Sequence, residues 1–170
     1  MRLALVLERI ATPIGTMLVL TDEENRLRAL DWDDYENRLN RLLRLHYGTN
    51  FAISEALHPS PARRALDAYF ACELTAIDAL TVETAGTPFQ RAVWAALRNI
   101  PAGNTVSYGT LAAAIGRPKA VRAVGAANGA NPIGIVVPCH RVIGANAALT
   151  GYGGGLRRKQ WLLRHEGVPI

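Results

Sequence analysis

Apolar and polar positions along the chain switch between a period of about two and a period of about 3.6. Residues 3–10 and 14–21 are rich in aliphatic residues and read as two strands joined through Ala11-Thr12-Pro13, and Leu27–Trp32 alternates as a third. Residues 34–47 then repeat as a helix, with Tyr35, Leu39, Leu42, Leu43 and His46 on one stripe and Arg38 and Arg41 outside it. Ser60 followed by Pro61 is a helix start, and Ala62, Leu66, Tyr69 and Phe70 form the stripe of a helix reaching about Cys72. Cys72 reads as structural, His46 and His58 as a stripe and a loop residue, and no polar cluster converges here. The pattern predicts a small α+β unit over 1–85, with an antiparallel sheet, ending at a linker near Thr84-Ala85-Gly86.

Beyond that linker the chain reads as helical. Thr87-Pro88 opens a helix whose stripe is Phe89, Val93, Ala96, Leu97 and Ile100, stopped by Pro101. Ser107 caps a short helix through Leu111 and Ile115, closed by Gly116, and Pro118 opens another that runs to about Asn128 before Gly129. Two short helices joined by Gly116-Arg117 match a helix-turn-helix. The second is built of Ala120, Ala123, Gly125, Ala126 and Ala127, with Lys119 and Arg122 projecting from it. A helix so short of side chains lacks the face that reads major-groove base edges and suits close, non-specific approach to a narrow groove. Residues 156–166 form the last helix, with Gly167 at its C-terminal cap position.

Charge divides the chain. Residues 1–85 hold 9 Arg against 13 acids, a net −4; residues 86–170 hold 8 Arg and 2 Lys against one acid, Glu166, a net +9. Such a basic half fits a phosphate-bearing partner and places a nucleic-acid face on residues 86–170. Two cysteines, Cys72 and Cys139, are too few for a disulfide framework or a four-thiolate zinc site. No apolar run approaches a membrane span and no segment resembles a signal peptide, so a soluble, cytoplasmic protein is expected.

The candidate chemistry lies in Ile135-Val136-Val137-Pro138-Cys139-His140-Arg141-Val142. Three branched residues and a proline read as a stiff, buried, extended segment, ending at a thiol flanked by a base and a cation. Both neighbours can raise the thiolate fraction, although a direct Cys139–His140 bond requires a turn or a bridging water. Glu166 sits in a helix's last turn, where the dipole disfavours an anion, so it is expected to have a specific partner, His140 or His165. Gly151-Tyr152-Gly153-Gly154-Gly155 is a loop whose backbone can approach a ligand and offer N–H donors.

Pro138-Cys139-His140-Arg141-Val142, the Arg-Ala-Val-Gly-Ala-Ala-Asn stretch at 122–128 and Trp161-Leu162-Leu163-Arg164-His165-Glu166-Gly167 together resemble the O6-alkylguanine-DNA alkyltransferases, most closely their constitutive bacterial type. The resemblance implies a ribonuclease H-like N-terminal domain (1–85) and a helical C-terminal domain (86–170) with a winged-helix-like helix-turn-helix. It implies single-use transfer of an alkyl group from O6 of guanine, or O4 of thymine, in double-stranded DNA to Cys139. His140 and Glu166 would complete a water-bridged relay, and Asn131 would brace the turn before the cysteine. Tyr108, Val142, Tyr152 and the Gly153 N–H would meet the base. Arg122, Lys119, Ala123, Ala126 and Arg141 would meet the DNA through its minor groove, with Arg122 filling the place of the flipped base. A monomer is expected, with cooperative binding along DNA as the alternative, and no cofactor and no metal are implied; the zinc ligands of some relatives are absent. Some relatives also have proline where this chain has Gly134, so no alkyl-size preference carries over. A DNA-binding regulator without chemistry is the main rival; a thiol hydrolase or redox protein is weaker, since the chain has no CxxC pair.

Overall fold

A computed structural model describes residues 2–144 and 148–170 and divides into two compact units, Met1–Ala85 and Gly86–Ile170. No helix among the described residues is long and apolar enough to cross a membrane.

The first unit is a four-stranded sheet in the order β3-β2-β1-β4. β1 (Leu3–Thr12), β2 (Gly15–Thr21) and β3 (Leu27–Trp32) are antiparallel neighbours, as the alternation predicts. The hairpin is tighter than expected: Thr12 and Gly15 are register partners, leaving only Pro13-Ile14 as the loop. β4 (Phe51–Glu55) was not legible in the pattern; it adds parallel to β1, so the sheet is mixed rather than wholly antiparallel. A short 3-10 turn (Asp33–Tyr35) leads into α1 (Glu36–Tyr47), which carries the chain from the β3 edge to the β4 edge. Leu39 and Leu43 of α1 pack on Leu5, Leu18, Leu20 and Ala29 of one sheet face. Arg38, outside that stripe, pairs with the buried Asp31 at 2.7 Å.

α2 (Pro61–Phe70) begins where Ser60-Pro61 predicts, the Ser60 Oγ accepting the Arg63 N–H at 3.1 Å. Ser60 also donates its N–H, at 3.2 Å, and its hydroxyl to Glu8, a carboxylate buried on β1. This accounts for an acid in an otherwise apolar strand: it is satisfied by the start of the next helix. Cys72, expected to be structural, is exposed, with φ +75°.

In the second unit, α3 (Pro88–Leu97) starts with a full capping box between Thr87 and Gln90. It buries Val93, Trp94 and Leu97, and the Trp94 indole N–H reaches the Ala127 carbonyl at 2.8 Å. α4 (Tyr108–Ala114) is capped by Ser107, and Gly116 takes φ +74° as the chain turns. α5 (Val121–Gly129) starts three residues later than Pro118 predicts. Pro118 occupies a turn closed by the Ala120 N–H on the Arg117 carbonyl at 2.9 Å, a position proline suits as well as a helix's first. Lys119 therefore lies in the turn and not on the helix. A two-stranded parallel pair, β5 (Val106–Ser107) with β6 (Val142–Ile143), sets the start of α4 beside the segment following Cys139. α6 (Leu156–His165) ends with Gly167 at φ +88°, its N–H on the Arg164 carbonyl and that of Val168 on the Leu163 carbonyl.

Candidate active site

The segment before Cys139 is buried as its composition requires, but it is not extended. Val136 N–H bonds back to Gly134 at 2.7 Å and Val137 N–H to Ile133 at 3.1 Å, so residues 133–137 form overlapping turns. Ile135 sits at φ +66°, a conformation a β-branched residue adopts only under constraint, costing about 1–3 kcal/mol. Asn131 supplies that constraint. Its buried Nδ2 donates to the Val137 carbonyl (2.8 Å) and the Ile133 carbonyl (3.3 Å), and its Oδ1 accepts the Ile133 N–H (2.9 Å).

Pro138 then ends the turns, and Cys139–Arg141 form one 3-10 turn rather than a continued strand. Its side chains are thereby not forced to opposite sides. Cys139 is 7% exposed, and Asn128 of α5 donates to its carbonyl at 3.4 Å. His140 is fully buried. Its Nε2 lies 2.9 Å from Glu166 Oε2, while its Nδ1 has no hydrogen-bond partner among the described residues. The ring of Tyr152 stands edge-on to it, centroids 6.5 Å apart.

Glu166 meets both a histidine and an arginine. His140 is one of those expected; His165, the other, instead stacks on Trp161 at 4.7 Å. Arg141 is the unforeseen one. Expected on the DNA surface, it is 3% exposed and grips Glu166 with two parallel bonds, Nε to Oε1 at 2.8 Å and an Nη to Oε2 at 2.9 Å. Its other Nη donates to the Ile100 carbonyl at 2.6 Å. Burial pushes the Glu166 carboxyl up, but His140 and Arg141 outweigh it and hold it well below the usual carboxylate range. Burial pulls the His140 imidazole below its ordinary value against the pull of Glu166, with Arg141 and Lys159 adding to the lowering. At neutral pH the site holds an ionised carboxylate and a neutral imidazole.

Lys159 was not singled out in the sequence. It is a wholly buried lysine on α6, donating to the Val142 carbonyl at 2.6 Å and the Thr150 carbonyl at 2.9 Å. Burial pulls its ammonium down to about 8, and the charge of Cys139 opposes that shift. A buried cation near a thiol favours the thiolate. The only available signal was its place in the helix Leu156-Arg157-Arg158-Lys159, where one basic residue of three falls on the buried stripe.

The remaining expected residues divide between site and surface. Tyr108, first in α4, is half-buried and its hydroxyl meets Thr150 Oγ1 at 2.9 Å. Val142 is fully buried in β6, and its carbonyl is taken by Lys159. Tyr152 and Gly153 are half-buried at a turn closed by the Gly155 N–H on the Tyr152 carbonyl, at 2.9 Å. On α5, Arg122, Ala123 and Ala126 are exposed while Val124, Ala127 and Asn128 face inward; Lys119 is exposed in the preceding turn.

Residues 88–168 match the 6-O-methylguanine DNA methyltransferase DNA binding domain, and residues 5–84 the 6-O-methylguanine DNA methyltransferase ribonuclease-like domain. The chain is 57% identical over 169 residues to a methylated-DNA–protein-cysteine methyltransferase of Salmonella typhimurium, covering 99% of both. It is 46% identical over 156 residues to one from Methanosarcina acetivorans, covering 92% of this chain and 94% of that one. A crystal structure of Mycobacterium tuberculosis OGT in complex with DNA superposes with a TM-score of 0.77 at 41% identity, over 96% of this chain and 92% of that one. With both halves matched and its relatives aligned end to end, the chain belongs to the 6-O-methylguanine DNA methyltransferase family.

Proposed function

We propose that this protein repairs alkylated DNA by direct reversal, transferring an alkyl group from O6 of guanine, and secondarily from O4 of thymine, irreversibly to Cys139. The observation that carries the reading is the His140 ring. One nitrogen is bound to a carboxylate that His140 itself and Arg141 hold ionised, and the other is buried, without a hydrogen-bond partner among the described residues, one residue from the thiol.

The proton inventory follows. Glu166, held ionised, accepts the Nε2 proton of neutral His140, so Nδ1 is the bare nitrogen. That nitrogen takes the thiol proton of Cys139, directly or through one water, and the ammonium of Lys159 steadies the resulting thiolate. The sulfur then attacks the alkyl carbon. A carbon–sulfur bond forms, the bond from carbon to O6 breaks, and guanine departs with the electron pair and takes up a proton. A thioester would leave a carbonyl for water to attack; the thioether formed here offers no such route, so each molecule acts once. The Asn131-braced turns hold the nucleophile in place against the strain at Ile135.

A base inside a duplex must be extruded to reach a thiol on a residue that is only 7% exposed. Residues 86–170 are the unit that does this, and residues 1–85 form a separate folded domain. α5 presents Arg122 beside the small exposed surfaces of Ala123 and Ala126, letting the helix backbone close on a narrow minor groove, with Lys119 on a phosphate. Arg122 fills the vacated stack. Tyr108, Tyr152 and the Gly153 N–H meet the extruded base, and Val142 acts by fixing the strand between them and Cys139. The protein binds as a monomer.

Cys139→Ala tests the assignment. It is expected to keep its affinity for duplex DNA and to lose all methyl transfer; residual transfer, or methylation of the exposed Cys72, would refute it.

A further inference from the structure

Thr150 has no assigned role, yet it is held by three different groups. Its carbonyl accepts the buried Lys159 ammonium at 2.9 Å. Its methyl packs where Gly144 has no side chain: a Cβ built at Gly144 would lie 3.3 Å from Thr150 Cγ2. Its hydroxyl meets the Tyr108 phenol at 2.9 Å. The Tyr108 ring also lies over Gly125 of α5, where an added Cβ would be in van der Waals contact with it at 3.8 Å. One residue thus joins the lysine near Cys139 to the tyrosine at the start of the helix-turn-helix.

From this geometry we infer that Thr150 is a positioning residue for alkyl transfer, orienting the Tyr108 hydroxyl toward the extruded base. The inference rests on the alkyltransferase reading above. Either oxygen of the pair can donate. When Thr150 donates, the phenol oxygen accepts that bond and its own proton is free for an acceptor on the base. A phenol that accepts a hydrogen bond is a stronger donor in turn, so the chain Thr150 to Tyr108 to base is cooperative. The base departs with an extra electron pair, so this donor counts most in the transition state. A valine at 150 fills the same volume and keeps the carbonyl for Lys159, but leaves the phenol free to donate elsewhere or rotate.

Single-turnover transfer from an O6-methylguanine duplex at saturating DNA tests this with the full-length chain, using Thr150→Val, Thr150→Ser, Tyr108→Phe and the Tyr108→Phe/Thr150→Val pair. Thr150→Val is expected to slow the transfer step about threefold to tenfold, the size of one hydrogen bond, with DNA affinity unchanged. Thr150→Ser is expected to restore the parent rate. In the Tyr108→Phe background, Thr150→Val should add nothing further, because the hydroxyl it served is gone. A parent-like rate for Thr150→Val, a Thr150→Ser as slow as the valine variant, or an undiminished effect in the Tyr108→Phe background would each overturn the inference. Absence of transfer by the parent protein would instead overturn the function on which it rests.

Discussion

Arg141 is the side chain whose loss has the most readable consequence. Arg141→Met keeps much of the aliphatic stem but removes two bonds to Glu166 and one to the Ile100 carbonyl, so the buried carboxylate loses its guanidinium partner and keeps its bond to His140. Removing one partner of a buried, hydrogen-bonded ion pair costs about 3–5 kcal/mol, because the charge left behind is uncompensated. For a unit of this size each kcal/mol moves the melting temperature by roughly 4–8 °C, so a drop of at least about 12 °C is expected near neutral pH. The sign with pH follows from Glu166. Its folded value is depressed, so its contribution is complete above the ordinary carboxylate value of about 4.3, declines steadily as pH falls below that, and is gone once pH has passed the folded value in strong acid. In the variant the carboxyl returns toward its ordinary range, so the gap between parent and variant narrows in acid. Kinetics move as well. Arg141 helps keep His140 neutral, so without it the imidazole protonates more readily and the acid limb of the transfer-rate profile shifts to higher pH. Thermal melts and single-turnover rates between about pH 5 and 9, bracketing the ordinary imidazole value, read both effects. A melt within about 2 °C of the parent with an unmoved acid limb would refute the buried-pair account.

Two further perturbations separate DNA handling from folding. Arg122→Ala is expected to slow transfer on a fully paired duplex far more than on a single-stranded lesion, which needs little flipping; an equal fractional loss on both, with the salt slope reduced by about one, would make Arg122 a phosphate contact only. Ser60→Ala removes the cap of α2 and one donor to buried Glu8, so about 2 kcal/mol of the first unit's stability should disappear in urea melts while Cys139 still accepts its methyl group; a melt like the parent's would show that the Glu8–Ser60 contact contributes nothing.

What the sequence made legible was local. Ser60-Pro61 and Thr87-Pro88 with Gln90 start helices where their side chains can cap the first turn, and the stripes of Leu39, Leu42 and Leu43 or of Val93 and Leu97 face inward as their spacing requires. β4 escaped because four of its five residues are exposed, so the core imposes no alternation on an edge strand. The turns at 133–137 escaped for the opposite reason. Ile135, Val136 and Val137 favour extended backbone, and the side chain of Asn131, with the backbone bonds of the turns themselves, overrides that preference. At the site, Cys139 and His140 stand together in sequence, and Glu166 drew attention as the lone acid of a basic half. The Arg141–Glu166 and Lys159–Val142 contacts span 25 and 17 residues and leave no periodic trace. An arginine beside a cysteine in a basic domain reads as a DNA contact until the fold buries it.

The central claim, a stoichiometric and irreversible transfer to one thiol, is most directly tested by intact mass of the protein after exposure to excess O6-methylguanine duplex, with the lesions removed counted in parallel. The expected result is a gain of one CH2 unit per chain, mapped to Cys139, with one lesion removed per molecule and no further repair on longer incubation. Lesions lost with unchanged protein mass, or more lesions removed than molecules present, would contradict it, as would DNA bound with every lesion intact.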